Sequence, residues 1–228
     1  MIDQAHDLET LHRATERLLS AVASLDDPAV TQPSRLPGWS RGHVLAHLAR
    51  NADALVNVIE GRPMYADAAT READIARDAE RPVRDHLADL RTSGDLLRKT
   101  WSAETDWSRT VELRNGVTDS AARVPFRRWV EVELHHVDLG IGYELEDLPA
   151  EFVEREIAFL AERFAGHPRV PATTLGDGSR SWTTGGGPAG GPVRVEGPTV
   201  GLLGWLAGRR DGSALTVHPG PLPALPPL

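Results

Sequence analysis

Apolar residues recur at helical spacing through the first two-thirds of the chain, where they mark one face of each segment. The pattern predicts four main helices, over residues 3–25, 40–59, 83–101 and 125–141. The long polar connection between the second and third of them is predicted to be partly helical. Four helices with one long connection are typical of an antiparallel bundle.

The pattern changes after Leu148. One more helix is predicted over 151–165, followed by short strands separated by glycines, a helix over 199–209 and a last strand. The sequence therefore predicts an α+β fold class. An N-terminal antiparallel four-helix bundle, residues 1–148, is followed by a small C-terminal α+β domain, residues 149–228, which ends in a proline-rich tail.

Composition and charge narrow the classes of partner. The formal net charge of −8 argues against non-specific binding to nucleic acid, which needs a basic surface. No apolar run approaches the roughly 20 residues of a spanning helix, and residues 1–9 are too polar for a signal peptide. We expect a cytoplasmic protein, a monomer or a weak homodimer, that acts on a small-molecule substrate.

The chain contains no cysteine. Disulfides, thiolate zinc sites and a nucleophilic thiol of the protein's own are therefore excluded. Any zinc must be bound by histidine and carboxylate side chains, a ligand set that is commoner in catalytic sites than in structural ones.

Two pairs of potential metal ligands lie four residues apart on predicted helices, so each pair shares a helix face. His43 and His47 lie on the second helix, and Glu131 and His135 lie on the fourth. His47 borders the apolar stripe of its helix, whereas His43 points further towards solvent, which makes His47 the better inward ligand. A histidine in such a position is also commonly a hydrogen-bonded residue at the edge of the core.

The pattern of the fourth helix favours a different interpretation. Its apolar face is marked by Trp129 and Leu134, and Glu131, His135 and Asp138 lie roughly opposite. Spacing alone therefore favours a solvated column of charged side chains, and it leaves His136 as an equal candidate ligand. Two arginines, Arg71 in the polar connection and Arg209 after the last helix, could each hold an anionic substrate. Surface arginines without such a role are commoner.

A resemblance to a known family is carried by two stretches, PGWSRGHVLAHLARNADAL (37–55) and WVEVELHHVDLG (129–140), and by the shorter PMYADAATREADI (63–75) and GWLAGR (204–209). Together they resemble the mycothiol-dependent maleylpyruvate isomerase family over essentially the whole chain. The resemblance implies a DinB-like metal-binding bundle followed by a sterol-carrier-like α+β domain. In such a bundle the metal lies where helices converge at the rim of the core, which favours ligands over a solvated column.

Carried over motif by motif, the resemblance implies that zinc is bound by His47, Glu131 and His135, and not by His43 or His136. It implies that Arg209 is an active-site residue and, more weakly, that Arg71 contacts a substrate carboxylate. The neighbouring Arg210 leaves the choice between two adjacent arginines open.

The reaction that the resemblance implies is the conversion of maleylpyruvate to fumarylpyruvate, with mycothiol as the low-molecular-weight thiol. Thiol addition to the double bond, rotation and elimination replace a forbidden rotation by accessible steps. A mycothiol S-transferase, which stops at the adduct, is the alternative enzyme. A non-catalytic metal-binding regulatory protein is the alternative from another class.

Overall fold

A computed structural model describes residues 3–104, 106–187 and 190–227 of the chain. The molecule divides into two compact units, Met1–Tyr143 and Glu144–Leu228. The first contains the long helices and the second contains a small sheet, which confirms the predicted α+β class and its order along the chain. The predicted domain boundary between residues 148 and 149 stays a prediction.

Four long helices form the first unit, together with two shorter helices and a hairpin. Their bounds are α1 Gln4–Val22, α2 Asp27–Val30, α3 Arg41–Ile59, α4 Ala68–Asp78, α5 Val83–Ala103 and α6 Val124–Asp138. Each long helix packs against two others, α1 on α6 and α5, and α3 on α5 and α6, which closes a four-helix bundle. The core between them is apolar and includes the fully buried Leu18, Leu48 and Trp129.

The connections of the first unit contain further short elements. The short helix α2 lies before α3, and the polar connection after α3, predicted to be partly helical, contains α4. Before α6 lies a hairpin, in which β1 (Thr110–Glu112) pairs antiparallel with β2 (Thr118–Ser120). Local polar signals explain both short helices, since Asp26 and Asp67 each accept a hydrogen bond from a backbone amide of the first turn.

The start of α3 is fixed by its sequence in two ways. Ser40 and His43 form a reciprocal capping box, in which each side chain bonds the backbone amide of the other. Gly42 lies so close to the end of α4 that a Cβ atom at this position would overlap the backbone oxygen of Ala79. Only a glycine therefore lets α4 pack against α3 at this point.

The second unit is a four-stranded sheet with two helices. Its elements are α7 Ala150–Phe164, β3 Thr173–Gly176, β4 Ser181–Thr184, β5 Val193–Glu196, α8 Thr199–Leu206 and β6 Thr216–His218. The strand order is β4-β3-β5-β6, with β3 and β5 parallel and the other pairs antiparallel. Leu175, Val195 and Phe152 are fully buried in the core of this unit. Among the described residues, no helix is both long and apolar enough to cross a membrane.

Candidate metal centre

Three side chains from two helices of the bundle converge on one point. His47 comes from α3, and Glu131 and His135 come from α6, one helical turn apart. One ligand atom from each of the three lies within 4.8 Å of the other two. Glu131 Oε2 is 3.0 Å from His47 Nε2 and 3.2 Å from His135 Nε2, so the carboxylate lies between the two imidazoles.

The geometry of this cluster fits a divalent ion. Two atoms that each lie about 2.1 Å from one tetrahedral ion are about 3.4 Å apart, close to the separations found here. Two imidazole nitrogens and one carboxylate oxygen are a donor set suited to zinc. His47, Glu131 and His135 could therefore hold such an ion with small adjustments.

The solvated column that spacing alone favoured on α6 is not found. Asp138 is fully buried, and the side chains of His135 and Glu131 are only 13% and 33% exposed. The helical pattern misled because α6 is buried on most of its circumference. Its polar residues Arg128 and Glu133 are buried together with the apolar ones.

His135 is supported from behind by a carboxylate. Asp138 Oδ2 lies 2.8 Å from His135 Nδ1, three residues further along α6. The Nδ1–H therefore donates to Asp138, so Nε2 is the ring atom directed at the cluster. The helical spacing predicted that Asp138 shares a face with His135 but indicated no role for it. The signal was a carboxylate three residues after a candidate ligand on one helix.

His47 is supported by different groups. Arg71 Nη2, on α4, lies 3.2 Å from His47 Nδ1, and the ring of Trp39 packs edge-on at 5.6 Å between centroids. A guanidinium has only donors, so Nδ1 of His47 accepts this hydrogen bond and Nε2–H donates to Glu131. The predicted residue Arg71 thus lies directly beside the cluster. Its guanidinium also lies 5.6 Å from the centroid of the Tyr65 ring.

The pKa values of the three residues reflect these contacts. Burial lowers the pKa of His47 more than its hydrogen bond to Glu131 raises it. Burial would also lower the pKa of His135, but the hydrogen bonds to Asp138 and Glu131 outweigh it and the pKa is raised. Burial would raise the pKa of Glu131, yet hydrogen bonds from both histidines hold it well below its usual range.

A buried arginine lies on α6 one turn before Glu131. Arg128 donates to the backbone oxygen of Leu48 at 2.9 Å and to Asn51 Oδ1 at 2.7 Å, which ties α6 to α3. Burial lowers the pKa of Arg128 to about 10, so it remains charged at neutral pH. Its contacts fix the distance between the two helices that carry the ligands. The sequence offered no clear signal for the contact between Arg128 and Asn51, because a lone arginine on a helix is usually exposed.

The remaining candidates are found elsewhere. His43 belongs to the capping box of α3, where Nδ1 lies 2.8 Å from Ser40 Oγ. His136 is buried on another side of α6 and stacks on Tyr143 at 4.1 Å. Arg209 and Arg210 follow α8 in the second unit. Arg209 donates to Ala207 O at 2.6 Å, and Arg210 pairs with Glu146. A role for Arg209 in the site stays a prediction.

Family models match most of the chain. Residues 11–140 match the mycothiol maleylpyruvate isomerase N-terminal domain, and residues 147–227 match the C-terminal domain of the same family. None of the curated proteins compared with the chain matches it.

Solved structures match over the whole length. One is the crystal structure of the mycothiol-dependent maleylpyruvate isomerase, 25% identical, with a TM-score of 0.89 over 99% of this chain and 97% of that one. A histidine-to-alanine mutant of a mycothiol-dependent maleylpyruvate isomerase is 24% identical, with a TM-score of 0.88 over the same shares.

Proposed function

The chain belongs to the mycothiol maleylpyruvate isomerase family, and on that premise we propose that it is a metal-dependent enzyme that uses mycothiol to convert maleylpyruvate to fumarylpyruvate. The observation that carries the proposal is the convergence of His47, Glu131 and His135 in a bundle that matches this family. A non-catalytic regulatory protein would have no need of a ligand set that leaves open coordination positions.

His47, Glu131 and His135 would hold a zinc ion. When bound, the ion supplies a positive charge that lowers the pKa of a nearby thiol, and mycothiol supplies the sulfur nucleophile that this cysteine-free chain lacks. Three protein ligands leave room for a fourth group from solvent or from a second molecule.

The residues around the cluster orient and shield it. Asp138 holds the ring of His135 in the tautomer that directs Nε2 inward, and Trp39 covers one side of His47. Arg71 is the proposed contact for a substrate carboxylate, because its guanidinium lies within hydrogen-bond distance of a ligand side chain. Arg209 is proposed as a second cation for the charge that develops on the substrate oxygen. We place the reaction in the cytoplasm.

The first experiment tests the metal site. We expect about one zinc per purified chain, retained in His43→Gln and lost in His47→Gln. The two histidines lie one turn apart on α3, and glutamine can still serve in the capping box at position 43. Zinc that is absent from the wild type, or retained equally in both variants, would contradict the proposed ligands.

The second experiment tests the reaction. The zinc-loaded protein is incubated with mycothiol and maleylpyruvate, and the products and the free thiol are quantified. Fumarylpyruvate with full recovery of thiol supports the isomerase. A stable mycothiol adduct would instead identify the S-transferase that the sequence left as the alternative.

A further inference from the structure

A cavity of about 520 Å³ lies within the first unit. Its walls are the end of α3, the connection that leads to α4, and the β1–β2 hairpin. Apolar side chains line part of it, among them Val58, Met64 and Leu113. The cavity is therefore large enough for a small organic molecule and has both apolar and polar walls.

The polar groups of the cavity are mainly cationic. Four guanidinium groups line it against two carboxylates, namely Arg62, Arg71, Arg109 and Arg114 against Asp67 and Glu112. Three of the four arginines already have acidic partners, since Arg62 pairs with Glu60, Arg109 with Glu104, and Arg71 with Glu72 at 3.2 Å. Asp67 is engaged as the N-cap of α4. Arg114 therefore offers most of the cationic charge available to a ligand, and Arg71 adds to it because its partner Glu72 is itself exposed to solvent.

Arg114 lies at the turn of the hairpin and its side chain is exposed. Among the residues that the structure describes, no carboxylate lies within ion-pair distance of its guanidinium. A carboxylate ligand would supply the missing partner and could accept two parallel hydrogen bonds from the planar group.

Arg71 connects this cavity with the cluster of His47, Glu131 and His135. Its guanidinium lines the cavity, and its Nη2 is also 3.2 Å from His47 Nδ1. Tyr65 lies beside it, and because burial raises the pKa of this phenol, the hydroxyl keeps its proton at neutral pH. A ligand in the cavity would thus be separated from the candidate metal centre by one side chain.

We propose that this cavity binds the pyruvate end of maleylpyruvate, with its carboxylate between Arg71 and Arg114, so that Arg114 determines specificity for the organic acid. The proposal rests on the proposed function. The double bond of the substrate lies towards its other end, which the arrangement directs at the metal centre. Mycothiol is a neutral sugar conjugate, so guanidinium donors give it no matched charge, and it approaches from another side.

The test uses two fragments of the substrate and no mycothiol, so that binding is measured without turnover. Acetylpyruvate keeps the pyruvate end and maleate keeps the double bond with its carboxylate. Calorimetry on the zinc-loaded protein compares the wild type with Arg114→Gln, Arg114→Lys and the control Arg84→Gln. Arg84 is an exposed arginine of α5 whose side chain pairs only with Asp85 among the contacts found.

Arg114→Gln should weaken the binding of acetylpyruvate about tenfold, since one charge-assisted contact is removed. The affinity for maleate should change by less than about twofold. The affinity of Arg114→Lys for acetylpyruvate should lie between those of Arg114→Gln and the wild type, because lysine keeps the charge but lacks the planar guanidinium. Arg84→Gln should match the wild type.

The proposal is overturned if the wild type does not bind acetylpyruvate, if Arg114→Gln leaves the affinity for acetylpyruvate unchanged, or if the variant weakens the binding of maleate instead. The turnover assay separates this result from the proposed function. If acetylpyruvate binding depends on Arg114 while maleylpyruvate is not isomerised, the cavity assignment stands and the proposed reaction fails. Isomerisation together with Arg114-independent binding would give the reverse conclusion.

Discussion

The two histidines of the cluster are held from behind by groups of opposite charge. On the α6 side, the buried carboxylate of Asp138 accepts a hydrogen bond from His135 Nδ1. On the α3 side, the guanidinium of Arg71 donates one to His47 Nδ1. The first arrangement fixes a proton on Nδ1 of His135, so that Nε2 is its metal-binding atom, and the second places the proton of the neutral His47 ring on Nε2.

The difference indicates that the two histidines are not equally ready for a metal. His135 already holds a proton on Nδ1 against Asp138, so it can bind through Nε2 once the proton that Nε2 donates to Glu131 has left. His47 must move its proton from Nε2 to Nδ1, and Nδ1–H then requires an acceptor that Arg71 does not offer. Metal binding should therefore release Arg71 from His47 and leave it able to bind a carboxylate.

The largest expected effect comes from removing the charge that both sides share. Loss of a residue that hydrogen-bonds a metal ligand typically lowers metal affinity about 10- to 100-fold. Glu131→Gln should lower zinc affinity by more than this, because the Glu131 carboxylate contacts both imidazoles. Competition with a chromophoric chelator measures the affinity. Glu133→Gln is the matched control, a buried glutamate on the same helix that accepts from Arg17, Trp129 and Tyr143. It should lose stability and keep its zinc affinity, and equal zinc loss in both variants would show a general effect of unfolding.

Asp138→Asn tests the α6 side of the comparison. It should lower zinc affinity about 10- to 100-fold, because an asparagine amide no longer fixes the tautomer of His135 or adds negative charge behind it. Thermal unfolding of the metal-free variant distinguishes weaker binding from a damaged core. Unchanged zinc affinity would show that Asp138 is only a packing residue.

Arg71→Gln tests the α3 side and should act in the opposite direction. A glutamine oxygen can accept from His47 Nδ1–H, so zinc affinity should rise about threefold to tenfold, while KM for maleylpyruvate increases. Arg77→Gln is the control on the same helix, where the side chain pairs with Asp74 and Asp78. A fall in zinc affinity in Arg71→Gln would refute the proposed asymmetry.

The smallest effect is the separation of two titrations in the metal-free protein. The pKa of His135 is raised above its ordinary value of 6.5, so its contribution to stability is present below pH 6.5 and is lost as pH rises through the raised value. The pKa of His47 is lowered, so its contribution is present above pH 6.5 and is lost as pH falls through the lowered value. Imidazole NMR signals should titrate on either side of pH 6.5, and the reverse order would contradict the assignment.

Parts of this arrangement could be predicted from the sequence, and others depended on the partner helix. The start of α3 was predicted within one residue from the helical pattern, and the helical angle separated His47 from His43 on one helix. The face of α6 could not be predicted in the same way. A periodic pattern gives the direction of a side chain relative to its own helix, whereas the burial of Asp138 depends on the elements packed around α6.

The contact of Arg71 likewise could not be predicted from the pattern of its own helix. Its segment was predicted to be partly helical, and the family resemblance gave it a weak role at the substrate. Its contact with His47 depends on how α4 packs against α3, which no local pattern encodes. The residue types in the site were thus predictable, but the difference in proton position between its two histidines depends on the packing of α4 and α6 around them.

The absence of a side chain at Gly42 has a consequence for the rate at which the site can respond. Because α4 lies against the backbone of α3 at this point, the helix that carries Arg71 has little room to shift. Arg71 must therefore leave His47 by rotation about its own side-chain bonds. Such rotations are faster than the roughly microsecond to millisecond displacement of a helix, so exchange of Arg71 between histidine and substrate should not limit turnover.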